Sequence, residues 1–145
     1  MTQRIIAAAA VLSLIAVMSG CQQKASLTAG SLPDLTITAL SAPASISTGS
    51  TINVIHTTKN IGTAPAGTSV SKFYLCTNNV ACGPINQQSV PSIAVGASKT
   101  LTNTSFTIPA TQPLGTNYIV VICGTTTSES SKANNTNSVP IVITP

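Results

Sequence analysis

From Pro33 onward, short runs of alternating apolar and polar residues are separated by Gly, Pro and Asn, and no stretch repeats at the helical period. Leu35–Ala39 reads as a first strand, with Leu35, Ile37 and Ala39 on one face. After a turn over Ser45–Gly49, Thr51–Lys59 is a second strand that places Ile52, Val54, His56 and Thr58 together. Asn60–Pro65 turns, and Gly62 there can take a positive φ. Val70–Thr77 is a third strand, with Phe73 and Leu75 on one side, followed by a cysteine-flanked loop over Thr77–Pro84. Ile85–Ile93 suits an edge strand because it contains Pro91. Val95–Ser98 turns, and Thr100–Ile108 is a strand with a broken phase: Leu101 and Asn103 share one face, Phe106 and Ile108 the other.

After a loop over Pro109–Thr116, Asn117–Cys123 gives the strongest strand signal. Tyr118, Val120 and Ile122 point one way, Ile119, Val121 and Cys123 the other. Apolar residues on both faces indicate a central strand or a partly covered outer face. Gly124–Asn135 is a polar connection, and Ser138–Thr144 closes the domain with Pro140 suited to a sheet edge. About seven strands with regular turn signals predict an all-β fold, an immunoglobulin-like two-sheet β-sandwich. Tyr118 resembles the tyrosine-corner position of such folds.

The first twenty residues follow a different pattern. Arg4 is their only charge, and Ile5–Met18 is apolar except for Ser13. The run falls short of the roughly 20 residues needed to cross a bilayer but has the length of a signal-peptide core. Met18-Ser19-Gly20-Cys21 resembles the lipobox of bacterial lipoproteins, with Met18 where Leu is commonest. That resemblance implies cleavage before Cys21 and lipid on its thiol and new amino group. Each buried methylene contributes about 0.8 kcal/mol, so two or three acyl chains anchor firmly. The expected organisation is a signal peptide over 1–20, a lipidated tether over 21–32 and one domain over 33–145. Without Asp after Cys21, the resemblance favours the outer membrane if the cell is Gram-negative. The alternative is a secreted soluble protein with an incidental cysteine.

Removing 20 of 145 residues leaves enough chain for one core. The mature charge is five Lys against Asp34 and Glu129, and the lysines stand singly at 24, 59, 72, 99 and 132. With no basic run and 3% aromatic residues, nucleic acid is not an expected partner. Charged residues are only 6% of the chain, so the surface must be built of Ser, Thr, Asn and Gln. Disorder usually combines high charge with few apolar residues, and this chain is the reverse.

Several short motifs occur in order: Pro33-Asp34-Leu35, Lys59-Asn60-Ile61-Gly62-Thr63, Phe73-Tyr74-Leu75, Val95-Gly96-Ala97-Ser98, Leu114-Gly115-Thr116-Asn117-Tyr118, then Glu129 and Asn134-Asn135. Together they resemble a CARDB domain, a bacterial adhesion-related sandwich. The resemblance implies a binding or spacer module on an exported protein, without catalysis. Members often carry Asp after the strand holding Tyr118. Here Gly124–Lys132 contains one acid, Glu129, whereas calcium requires several oxygen ligands including carboxylates.

The mature chain offers one His, one Asp and one Glu, and nothing in the sequence brings Asp34 and Glu129 together or selects a nucleophile. No catalytic residue, metal site or cofactor is expected. His56 reads as a structural histidine; the alternative is a metal ligand alongside Cys76, Cys82 or Cys123. Four cysteines in an exported chain suggest an oxidising compartment. Cys76 and Cys82 bracket five residues and read as a local disulfide, with a redox or copper-binding pair as the alternative. The spacing is not CxxC, and no basic neighbour activates a thiol. Cys123 is then left free.

The expected function is that of a lipid-anchored envelope module of binding or adhesion type. Its partners are the membrane, through Cys21, and a protein or surface glycan. The side of the strongest strand carrying Ile119 and Val121, with Tyr74, is the expected contact face, and Ser138–Thr144 could accept a partner strand. A periplasmic metal- or thiol-handling protein and a structural envelope component are the alternatives.

Overall fold

In β3 (Thr51–Asn60) every second side chain is buried: Ile52, Val54, His56, Thr58 and Asn60. That alternation lays one face of the strand on a core and leaves the other toward solvent. The chain is described here from a computed structural model covering residues 30–77 and 81–145. The expected signal segment, Cys21 and most of the tether lie outside the described residues.

The other strands are β1 (Leu35–Ser41), β2 (Ser45–Ser47), β4 (Ser69–Thr77), β5 (Ala81–Val90), β6 (Ser98–Thr107), β7 (Gly115–Ile122) and β8 (Thr136–Thr144). They form two sheets, β1-β3-β6 and β2-β8-β7-β4-β5. Among the described residues there is no helix. The protein is an all-β, two-sheet sandwich.

Several local features differ from the sequence expectations. The turn over Ser45–Gly49 contains an extra strand, β2, which runs parallel to Val142–Thr144 of β8. The chain thus crosses from one sheet to the other between Ser41 and Ser45. β8 is flanked by β7 on one side; on the other, β2 covers only its last three residues, so residues 136–141, with Pro140, remain at the edge of the sheet. In β1 the register shifts between Ile37 and Ala39, so Ala39 is exposed and Leu40 packs on the core instead. The phase break in the sixth strand is a register shift: Ile52 faces Phe106, whereas Val54 faces Asn103. The loop expected over Thr77–Pro84 is narrower, because β5 already begins at Ala81.

Gly62 does not take a positive φ. Its missing side chain is needed for close approach: an added Cβ would stand 2.5 Å from the Leu32 carbonyl oxygen. Only glycine lets the 60–65 turn lie against the segment that leads into β1.

Phe73, Ile119, Val121 and Ile141, all fully buried, belong to the apolar core between the sheets. One part of the interior is polar. His56, Thr58 and Asn60 of β3 and Ser69 and Ser71 of β4 are all buried there.

Candidate functional site

Burial corrects the expected contact face. Ile119 and Val121 are both 0% exposed and belong to the core. Their register explains it: Val121 lies opposite Phe73 and Ile119 opposite Leu75, two residues already directed inward. The outer face of β7 therefore carries the half-buried Tyr118, Val120 and Ile122. Tyr74, the third expected contact residue, lies on that outer face opposite Val120.

Beside Tyr74 the β4–β5 register slips. Phe73 faces Asn86 but Tyr74 faces Pro84, which leaves Ile85 as an extra residue in β5. Bulges of this kind bend a strand and break the ladder. Here the irregularity lies beside an open hollow of about 460 Å³ lined by Lys72, Tyr74, Pro84, Ile85, Asn86 and Gln87. One phenol ring, one ammonium group and two amides line the same depression.

The cysteines and His56 are not among the residues that line this hollow. Cys76 and Cys82 are disulfide-bonded across the β4–β5 hairpin, opposite one another in the register. Cys123 is free and buried just beyond the other end of β7, and burial pushes its thiol up to about 12. His56 is fully buried, its Nε2 3.2 Å from Ser71 Oγ and its ring edge-on to Phe73 at 5.3 Å. Burial lowers its pKa and favours the neutral ring. Among the described residues its Nδ1 has no partner, and no group of three or more His, Cys, Asp or Glu converges.

Asp34 and Glu129 do come together, against the sequence expectation. Glu129 Oε2 accepts from the Leu35 amide at 2.6 Å, and Oε1 accepts from Asn135 Nδ2 at 3.0 Å. Asp34 accepts from Asn134 Nδ2 at 2.8 Å and Ser130 Oγ at 3.2 Å. Burial is the main influence on Glu129 and raises its pKa, while the Leu35 and Asn135 donors pull it back. Gly124, with a φ of 63°, is buried against this carboxylate, and an added Cβ would overlap Glu129 Oε1. The cluster fastens the 124–135 connection to the start of β1.

Two buried asparagines do similar work, and neither was singled out for it in the sequence. Asn117 accepts from Thr77 Oγ1 and Gln112 Nε2 and donates to the carbonyls of Pro113 and Gly115, which fixes the loop before β7. Asn60 Oδ1 accepts from the Asp34 and Gly62 amides, while its Nδ2 donates to the carbonyls of Ala64 and Ile93. A buried polar side chain at a strand end, on the inward parity of Ile119 or Val54, is the signal that points to both.

The fold resembles several solved domains. One is the CARDB domain of a Pyrococcus furiosus protein, solved in complex with di-metal ions; the TM-score is 0.60 at 18% identity, over 78% of this chain and 90% of that one. Another, from Methanosarcina acetivorans, is a domain named as part of a cell surface protein; its TM-score is 0.56 at 16% identity, over 78% and 93% of the two chains. A third likeness is to part of a Listeria innocua beta-glucosidase in complex with glucose, with a TM-score of 0.54 at 20% identity. It covers 80% of this chain but 16% of the enzyme. At these identities the likenesses carry the fold alone. Comparison with curated proteins finds no match. The CARDB family model, however, matches residues 32–139, most of the sequence, and the chain therefore belongs to the CARDB family.

Proposed function

We propose that this chain is a lipid-anchored, non-catalytic binding module of the cell envelope, and that the hollow beside Tyr74 receives its ligand. The observation that carries the reading is that hollow, where the half-buried Tyr74 ring sits among Lys72, Asn86 and Gln87. An aromatic face for stacking, with amide and ammonium groups around it, suits a surface glycan. Membership in an adhesion-related family supports a binding role. Lipid at Cys21 and an outer-membrane location rest on the lipobox resemblance.

The metal- or thiol-handling alternative loses its residues. Cys76 and Cys82 are bonded to each other, Cys123 is buried at the other end of the sandwich, and His56 Nε2 is engaged by Ser71. The archaeal CARDB domain holds two metal ions. The residues here do not fit such a centre. Among the described residues, both carboxylates accept from amide or hydroxyl donors, and no third His, Cys, Asp or Glu joins them.

Titration of the mature chain with oligosaccharides from the producing cell's envelope tests the reading, followed by NMR at the Tyr74 ring. Shifts centred on Tyr74 and lost in Tyr74→Ala support it. An unmoved ring across the glycan series, with a protein captured on the same face, overturns the glycan assignment. No ligand at all and concentration-dependent self-association favour the structural envelope component.

A further inference from the structure

Three loops meet at Asn60, and each carries an exposed apolar side chain. Leu32 is 39% exposed, Ile61 52% and Val95 53%. Of the six large apolar side chains exposed among the described residues, these three share one end of the sandwich. The other three are Ile55 on β3, and Leu114 and Val142 toward the opposite end.

The loops form one fastened surface. Asn60 holds the 32–34 segment through the Asp34 amide, the 61–64 turn through Gly62 and Ala64, and the 93–97 turn through the Ile93 carbonyl. Its own backbone adds bonds with Ala97 and Gly96 at 3.0 and 2.9 Å. The Leu32 carbonyl accepts from the Thr63 and Ala64 amides, and Ser31 Oγ donates to the Thr63 carbonyl. A rigid end that leaves three apolar side chains outside its own core has a surface for something else to cover.

The sequence indicates what covers it. The tether joins the domain at this end, since Leu32 is its last residue. From Cys21 to Leu32 the chain reaches at most about 35–40 Å. A tether of that length keeps the domain at high effective concentration beside the bilayer, so a weak contact is enough. Lys59 and Lys99, near the paired ends of β3 and β6, flank the same end, and Lys132 lies in the adjoining connection. The two acids of this end, Asp34 and Glu129, are turned into internal hydrogen bonds. Apolar tips with lysines around them suit the boundary between headgroups and acyl chains of an anionic membrane.

We propose that Leu32, Ile61 and Val95 form a membrane-contact surface, on which the domain stands end-on upon the bilayer that holds its lipid. The proposal deepens the lipid-anchored reading and rests on it. It gives the domain one preferred orientation, with the Cys76–Cys82 hairpin directed away from the membrane.

The test uses the absence of tryptophan from the chain. The mature chain is coupled through Cys21 to a maleimide lipid in vesicles of phosphatidylethanolamine and phosphatidylglycerol. Cys21 is the thiol open to coupling, because Cys76 and Cys82 are bonded and Cys123 is buried. Val95→Trp is expected to show blue-shifted emission, quenched by brominated lipid, while Leu114→Trp keeps solvent-like emission. Adding Ile61→Asp to Val95→Trp should abolish the shift. Equal, solvent-like emission from both reporters overturns the contact surface. Labelled palmitate incorporation in cells, lost in Cys21→Ser, is measured separately. Its failure overturns the anchoring reading, while the coupled vesicles still decide whether the surface binds lipid.

Discussion

The carboxylate of Glu129 accepts the backbone proton of Leu35 across 2.6 Å, joining two residues 94 positions apart. The bond ties the last long connection of the chain to the first residue of β1. With Asn135 on its other oxygen, Glu129 gives two donors their acceptor. Glu129→Ala leaves the Leu35 amide without its acceptor and Asn135 Nδ2 with the Cys123 carbonyl alone, and is expected to cost about 2–3 kcal/mol. A lower urea midpoint at unchanged slope would show it. An unchanged midpoint would mean that solvent replaces the carboxylate.

Two groups oppose each other in the pH dependence. Burial lowers the His56 pKa below 6.5, so above that value both folded and unfolded rings are neutral. As the pH falls below 6.5 the unfolded chain takes up a proton that the fold resists, and stability is lost. Glu129 has the opposite sign. Its pKa is raised above 4.5, so its contribution is present on the acid side and lost as the pH rises through the folded value. Thermal unfolding followed down from about pH 7 to 5 should therefore show a His56 loss that Glu129 opposes in the wild type. Glu129→Gln should steepen the acid loss, and His56→Gln should remove it. Identical profiles in all three proteins would contradict the assignment.

Cys123 is buried with its thiol pushed up to about 12, so little thiolate exists at neutral pH. In Cys21→Ser, a thiol reagent is expected to find no reactive group in the native protein. One should appear in denaturant without reductant and three after reduction. Rapid labelling of the native protein would show that the β7 end opens.

Val121 and Tyr74 lie on opposite faces of adjacent strands, one fully buried and the other half-buried. Val121→Asp should prevent folding, since an unpaired carboxylate would enter the apolar core. Tyr74→Ala should leave circular dichroism and urea midpoint close to wild type and act on ligand binding alone. A folded Val121→Asp protein would restore the Ile119–Val121 face as a surface.

Strand positions were legible in the sequence wherever one face was polar. β3 alternates cleanly through Ile52, Val54, His56 and Thr58, and its inward side follows directly. β7 is apolar on both sides, so periodicity located the strand but could not choose its face. Pairing with Phe73 and Leu75 makes that choice, and pairing is a long-range property. The local disulfide was legible because its cysteines are close in sequence. The Asp34–Glu129 cluster was not, because irregular loops carry no periodic mark of where they meet. The β1 shift shows a third limit: one extra residue reverses the faces of all that follow, and composition does not announce it.

The crossing from β1 into β2 has a mechanical consequence. β1 is antiparallel to β3, and β2 runs parallel to the end of β8. Tension drawn between Leu35 and Thr144 pulls β1 and β2 toward one end of the sandwich and β8 toward the other. Both ladders are then loaded in shear, so their hydrogen bonds must yield together instead of peeling one at a time. A domain pulled between these two points would resist through both ladders at once.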